Sequence, residues 1–309
     1  MNGVTLQQLR YAVAVAEARH FGRAAAACFV SQPALSTQIR ELEARLGVQL
    51  FERSSRGVLV TEAGATVVGR AQQILREVDD LCDAAAGAAG GLSGPLRLGV
   101  IPTIAPYLLP ASVRRVAASY PDLELYLRED RTESLISLLQ AGELDVLLLA
   151  LPLQRAGIEE LPLYDEPFLL AVPESHHLAG RQSCDTTALA DERLVLLEEG
   201  HCLRDQALAV CELAGHAGGA VVQGTSLPTV VQMVHAGLGV TLLPESAVLR
   251  DVRSGERVAL LELEPETPTR TVGLAWRRSS ARGASYRLLG EVIAAAATEV
   301  ISSRALRAS

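Results

Sequence analysis

Apolar positions in the first sixty residues recur at helical spacing. Leu6, Leu9, Val13 and Ala16 mark one helix, and a short second one over 23–28 breaks at Phe29-Val30-Ser31. Ser31 makes a good N-cap, and Pro33 falls in the first turn of the next helix, where its missing N–H costs nothing. That third helix places Leu35, Ile39, Leu42 and Leu46 on one stripe, with Gln32, Ser36, Thr37 and Arg40 off it near the N-terminal end. Gly47 stops it, and 50–60, turning at Gly57, reads as a β-hairpin carrying Arg53 and Arg56. Thr61 then caps a helix from 62 to about 89, along which Val67, Ala71, Ile74/Leu75, Val78, Leu81 and Ala85 repeat at three and four residues. Such a helix is about 40 Å long, more than a small head can cover, so its stripe predicts a partner helix.

Gly90-Gly91 through Gly94-Pro95 reads as a linker, after which the pattern changes. Strands are expected at 96–101, 123–129, 145–150, 168–172, 194–197, 220–223, 240–243 and 271–276. Helices are expected at 106–119, 133–140, after Cys202, at 228–236 and at 286–297. This alternation predicts parallel sheets with helices on their faces, folded as two similar α/β lobes. A length of 309 residues suits two or three domains, and 49% hydrophobic with 21% charged residues excludes wholesale disorder.

No apolar run approaches the roughly 18–20 residues a membrane span needs. The first twenty residues carry Arg10, Glu17 and Arg19 with no apolar signal region, so the expected address is the cytoplasm. The net charge of −8 argues against nucleic acid only on average. Residues 1–60 hold seven arginines and four glutamates, a net +3, which leaves −11 for the remainder. A basic head on an acidic body fits a modular nucleic-acid binder. Every basic residue is arginine, which reads as genomic bias. Five cysteines and six histidines show no metal-ligand spacing, so neither a metal nor a cofactor is expected, and the odd cysteine count excludes a secreted disulfide framework.

A capped helix preceded by a short helix and a tight turn is helix-turn-helix geometry, with the hairpin as a wing. The motifs Phe21-Gly22-Arg23-Ala24-Ala25, Val30-Ser31-Gln32-Pro33-Ala34-Leu35-Ser36 and Ile39-Arg40-Glu41-Leu42-Glu43 resemble the LysR-type transcriptional regulators. So do Leu46-Gly47, Leu50-Phe51-Glu52-Arg53 and Thr61-Glu62-Ala63-Gly64. The resemblance covers the whole chain. It implies an α/β protein with an N-terminal all-α winged helix-turn-helix over 1–61, a linker and dimerisation helix over 62–90, and a regulatory domain over 91–309. That domain would resemble a periplasmic-binding protein, with lobe I at about 95–164 plus 271–300 and lobe II at about 165–270. The implied DNA-contacting residues are Gln32, Pro33, Ala34, Ser36, Thr37 and Arg40, with Arg53 on a wing phosphate. The implied partners are double-stranded DNA at dyad-related promoter sites, further copies of the chain as a homodimer or homotetramer, and RNA polymerase.

Within the acidic body, Glu199-Gly200-His201-Cys202-Leu203-Arg204-Asp205-Gln206, followed by Cys211, begins where a strand ends and a helix starts. A first-turn cysteine sees unpaired backbone N–H groups and the positive end of the helix dipole, both of which favour the thiolate. His201 and Arg204 are adjacent sources of further positive charge or hydrogen bonds. From these residues alone, a reactive thiol and a structural one remain equally open. The wording resembles the hydrogen-peroxide-sensing branch of the LysR family, and the match extends to Ile101-Pro102-Thr103, Pro106-Tyr107-Leu108-Leu109-Pro110, Thr132 and Arg270-Thr271-Val272-Gly273-Leu274. That resemblance implies oxidation of Cys202 to sulfenic acid, resolution by Cys211 as a disulfide, and activation of oxidative-stress genes. It also implies that Thr103 and Thr132 hydrogen-bond the peroxide, that Gln206 orients it, and that His201 and Arg270 stabilise the thiolate and departing hydroxide. Asp205 would anchor Arg270 or the helix terminus. Cys184, in the polar stretch Gln182-Ser183-Cys184-Asp185, has no implied role, and Cys28 and Cys82 read as small buried hydrophobes. If one helix spans Cys202 and Cys211, their Cα atoms stand about 13.5 Å apart, so a bond needing roughly 7 Å requires that helix to unwind.

Two other readings compete. One is a LysR-type regulator gated by a small organic ligand between the lobes. The other is an enzyme, a thiol peroxidase, for which the basic head and long helix have no use.

Overall fold

The computed structural model describes residues 3–54, 57–87, 92–213, 222–252, 257–265 and 267–305. They form two compact units, divided at Ala89/Gly90.

The first unit is built on three short helices. Helix α1 (Leu6–Ala18) starts at a capping box in which the Thr5 hydroxyl accepts from the Gln8 N–H and the Gln8 side chain accepts from the Thr5 N–H. Helix α2 (Phe21–Ala27) is capped by His20 Nδ1, 3.0 Å from the Gly22 nitrogen, and α3 (Gln32–Leu46) by the Ser31 hydroxyl. Gly47 closes α3 at φ 70°, a left-handed conformation in which glycine pays no steric cost. Leu9, Ala12, Val15, Phe21, Ala24, Leu35, Ile39 and Leu42 fill the core. Leu46, the last residue of the predicted stripe, is exposed instead. Strands β1 (Phe51–Ser54) and β2 (Gly57–Val60) pair antiparallel, Arg53 opposite Val58. Arg56 and the Arg53 side chain lie outside the described residues. Thr61 caps α4 (Glu62–Gly87) through the Gly64 N–H, 2.8 Å away. Gly64 is needed there because a Cβ would stand 2.1 Å from the Leu50 carbonyl oxygen. Val68 and Ala71 of α4 join the core, while Ile74 and Leu81 on the predicted stripe stay exposed.

The second unit runs β3 (Gly94–Val100), α5 (Ala105–Ser119), β4 (Leu123–Glu129), α6 (Thr132–Ala141), β5 (Val146–Leu151), β6 (Ile158–Pro173), β7 (Ser183–Asp185) and β8 (Val195–Leu197). It continues with α7 (Cys202–Leu213), β9 (Val222–Gly224), α8 (Leu227–His235), β10 (Thr241–Pro244), α9 (Glu245–Asp251), β11 (Val258–Glu264), β12 (Thr269–Arg277) and α10 (Gly283–Ala305). The strand order β4-β3-β5-β12-β6-β11-β7, with β10 also on β6, corrects the expectation of parallel sheets. β3 is parallel to β4 and β5, but β12 is antiparallel to both β5 and β6, and β10 and β11 are antiparallel to β6. β8 and β9 form a separate parallel pair.

β6 explains the architecture. Its first part pairs with β12 and its last part with β10 and β11, so one sixteen-residue strand passes from one core to another. The first core holds Leu96, Leu98, Leu147, Leu149, Leu274 and Trp276. The second holds Phe168, Leu170, Val195, Val231, Leu243 and Leu261. Only 168–172 of β6 is a continuous apolar run. The stretch before it is half-buried and interrupted by Pro162 and Pro167, which hides its extended conformation from a hydrophobicity pattern. Among the described residues, no helix is long and apolar enough to cross a membrane.

Candidate functional site

The chain leaves β8 and turns at Gly200, whose φ of 91° suits glycine and whose missing Cβ leaves room for the Arg131 side chain. Arg131, the N-cap residue of α6, reaches back to the Glu199 carbonyl at 3.0 Å and to the Glu198 carboxylate at 3.3 Å. This stitching brings together the first residues of two helices, Thr132 of α6 and Cys202 of α7. Cys202 packs against the first core and, with Thr132, Asp205, Gln206, Leu151 and Leu153, borders a cavity of about 380 Å³. On its other side it meets Thr103, Thr132 and His201. Thr132 Oγ1 and Gln206 Oε1 are both buried; the Thr132 hydroxyl faces the Cys202 sulfur, and among the described residues neither oxygen has a partner at hydrogen-bond distance. Orphaned buried polar atoms carry a cost, so a pair of them beside one sulfur marks a place for a small hydrogen-bonding guest.

Arg270 is 1% exposed on β12 and directly opposite Glu166 of β6. Its Nε donates to Glu166 Oε2 at 2.8 Å, its Nη1 to the Thr103 hydroxyl at 3.0 Å and its Nη2 to the Thr103 carbonyl at 3.0 Å. The other Glu166 oxygen accepts from the Ser246 N–H at 2.9 Å. Of the two roles expected for Asp205, anchoring Arg270 falls to Glu166, whereas Asp205 is exposed at the cavity in the first turn of α7, where an acidic group suits the helix terminus. Glu166 is absent from the residues that the sequence pattern singles out. The available signal is a carboxylate just before a buried apolar run, where it must be paired.

The electrostatics also depart from expectation. Burial pushes the Cys202 thiol above its ordinary value. The Arg270 charge, the Thr132 hydroxyl and the Leu203 N–H pull it down without overcoming that, and Asp205 adds to the rise. The resting group is therefore a thiol rather than the thiolate its helix position suggested. His201 is buried, and burial followed by the Arg131 charge holds its pKa below the usual histidine range. It is a neutral imidazole at neutral pH and adds no positive charge beside Cys202. Arg204 donates to the Leu197 carbonyl at 3.2 Å, bracing the end of β8.

Helix α7 runs unbroken through Cys202 and Cys211, which puts their Cα atoms about 13.5 Å apart. Cys211 lies in the second core, where burial, then Glu212, pushes its thiol up to about 11. Cys184 sits on β7, 5% exposed, and its polar neighbours do not make it a surface thiol. On the head, Gln32, Pro33, Ala34, Thr37 and Arg40 are exposed along α3, and Arg40 Nη2 reaches the Thr37 hydroxyl at 3.3 Å. Ser36 is the exception: it is buried, so the apolar face of α3 is wider than the predicted stripe.

An amphipathic, N-capped α3 behind a short α2, with a hairpin and a long helix following, together with a two-core α/β unit, is the build of a DNA-binding regulator with an attached sensing domain. Residues 6–65 match the bacterial regulatory helix-turn-helix protein, lysR family, and residues 89–298 match the LysR substrate binding domain. The chain belongs to the LysR family, as a DNA-binding regulator and not an enzyme. It is 46% identical to the DNA-binding transcriptional dual regulator OxyR of Escherichia coli K12 over 94% of this chain and 95% of that one. It is 48% identical to a probable hydrogen peroxide-inducible genes activator of Mycobacterium avium, over 94% of each. Among solved structures, a full-length cysteine-to-aspartate variant of OxyR from Pseudomonas aeruginosa superposes with a TM-score of 0.78 at 39% identity, covering 94% of both chains. A cysteine-to-serine variant of OxyR from Corynebacterium glutamicum with hydrogen peroxide bound gives 0.71 at 40% identity, covering 98% of this chain and 96% of that one.

Proposed function

We propose that this chain is a hydrogen-peroxide-responsive transcriptional regulator acting in the cytoplasm. Residues 1–61 bind DNA, 62–90 pair two copies, and 91–309 sense the oxidant. The observation that carries the reading is the Cys202 thiol beside two orphaned buried oxygens, on a helix whose other end buries Cys211 in a different core. Cys202 attacks one peroxide oxygen, the O–O bond breaks, and the thiol proton leaves with the departing hydroxide as water, which yields the sulfenic acid. Thr132 and Gln206 hold the peroxide. Thr103 accepts from Arg270 yet keeps its own hydroxyl proton to donate. Arg270 offsets the negative charge that develops on sulfur and on the leaving oxygen. The Cys211 thiol then attacks the sulfenic sulfur, and a second water leaves as the disulfide forms.

Closing that bond cannot be a local adjustment. The two sulfurs are held by separate cores at opposite ends of an intact helix, so α7 must unwind and one core must release its cysteine. A chemical event at one atom thereby becomes a two-state change of the sensing unit. The exposed Ile74 and Leu81 on α4 supply the surface through which two chains pair, so that the heads meet half-sites about one helical turn apart, or a multiple.

Promoter binding measured with and without stoichiometric peroxide tests the sensing role. A footprint that changes with peroxide supports it. A footprint indifferent to peroxide but altered by a small organic metabolite favours the cavity as an effector site instead. For the DNA half, Arg40→Ala should cost about 1–3 kcal/mol in operator affinity if Arg40 reads a base edge. Unchanged affinity and salt slope would remove Arg40 from the interface.

A further inference from the structure

We propose that Glu166 is a positioning residue of the sensing site: it clamps Arg270 and tempers the pull of that guanidinium on the Cys202 sulfur. A carboxylate that does not border the reactive atom thus sets how readily the site responds. This inference rests on the peroxide-sensing reading of Cys202 and goes beyond it by naming what tunes the thiol.

Three observations place Glu166 in that role. It lies on β6, the strand that passes between the cores, directly opposite Arg270 on β12, and both side chains are fully buried, 2.7 Å apart. The guanidinium is held from two sides, by Glu166 at Nε and Nη2 and by Thr103 at Nη1 and Nη2, so it has one orientation available. The second Glu166 oxygen is fixed by the Ser246 N–H at the start of α9. A single chain of bonds therefore runs Ser246, Glu166, Arg270, Thr103, ending at the wall of the Cys202 site.

Glu133 of α6 and Arg155, which border the same cavity as Cys202, are paired with each other at 2.6 Å and largely offset one another. Arg270 of β12 favours the thiolate, as do the Thr132 hydroxyl of α6 and the Leu203 N–H of α7, whereas Asp205 of α7 opposes it. His201 is neutral, with Arg131 beyond it. Tyr107 and Tyr164 also face Arg270, but burial pushes both phenols far above their ordinary range, so neither carries charge. Glu166 is thus the counter-charge that binds Arg270 directly. A cation in close contact with an anion projects a weaker field than an unpaired one, most of all where no water intervenes. With the pair intact, burial prevails and Cys202 rests as a thiol, guarded against indiscriminate oxidation.

The test is the pH dependence of Cys202 alkylation by iodoacetamide in the full chain, followed peptide by peptide by mass spectrometry. Glu166→Gln removes the counter-charge while Thr103 still holds the guanidinium. The midpoint should fall by about one pH unit, with alkylation near neutrality about tenfold faster. Adding Arg270→Gln should abolish that gain and lift the midpoint above that of the wild type. An unchanged or raised midpoint in a folded Glu166→Gln chain overturns the proposal, because a purely structural role does not predict a downward shift. If Glu166→Gln does not fold, Glu166→Asp takes its place: it keeps the carboxylate but draws it back from the guanidinium, so the midpoint should fall by a smaller step, and an unchanged or raised midpoint refutes the role. No peroxide enters this experiment. A chain indifferent to peroxide that still shows the shift would sink the sensing reading and leave the Glu166 assignment standing.

Discussion

Cys202 and Cys211 share one helix and differ in almost everything else. Cys202 opens α7 against the core built on β3, β5 and β12, beside a cavity, two orphaned oxygens and a fixed guanidinium. Cys211 is 1% exposed in the core built on β8, α8 and β10, with Glu212 opposing its ionisation. Burial raises both thiols, and among the described residues the groups that pull the other way stand at Cys202. The order of the chemistry follows from that difference. The first thiol can be activated where it stands, and the second reacts only once the helix between them opens.

Substitutions should separate the two roles sharply. Cys202→Ser should abolish both peroxide consumption and the change in promoter binding, and a response at full amplitude would move the sensing chemistry elsewhere. Cys211→Ser should still form sulfenic acid at Cys202, seen by dimedone labelling, while no switch locks. Loss of labelling in that variant would mean that Cys211 acts in the first step. The pH dependence gives a third handle. Because burial lifts the Cys202 thiol, its thiolate fraction at neutral pH is small and grows as pH rises towards its pKa, so the initial oxidation rate should climb about tenfold per pH unit through neutrality. A flat profile would mean a thiolate already formed at rest. The smallest expected effect is that of Thr132→Val, which removes one orphaned hydroxyl and should slow oxidation by a few-fold, about 1 kcal/mol.

Much of this was legible in the sequence, and the gaps have physical causes. Caps and breakers are local, so Ser31, Gly47 and Thr61 mark real helix boundaries. The start of α7 at Cys202 is equally local, and so is the continuous helix to Cys211. What the pattern misses depends on packing between distant segments. The antiparallel return of β12 between β5 and β6, and the long half-polar β6, follow from pairings across more than a hundred residues. Glu166 becomes meaningful only when a strand 104 residues later places Arg270 opposite it. The Cys202 thiol moves against what its helix position suggests for a related reason. Helix position is visible in sequence, whereas the desolvation that outweighs it is a property of the folded site. Ser36 shows the same limit on a smaller scale, a polar residue taken into the edge of a wide apolar face.

The most direct measurement is peptide mapping of the full-length chain after one equivalent of hydrogen peroxide, with hydrogen exchange across 202–213 read on the same sample. A cross-linked pair of Cys202 and Cys211 peptides should appear together with loss of protection along α7, since the bond cannot close while that helix persists. A disulfide joining Cys202 to Cys184, or a Cys202–Cys211 bond with α7 still fully protected, would contradict it.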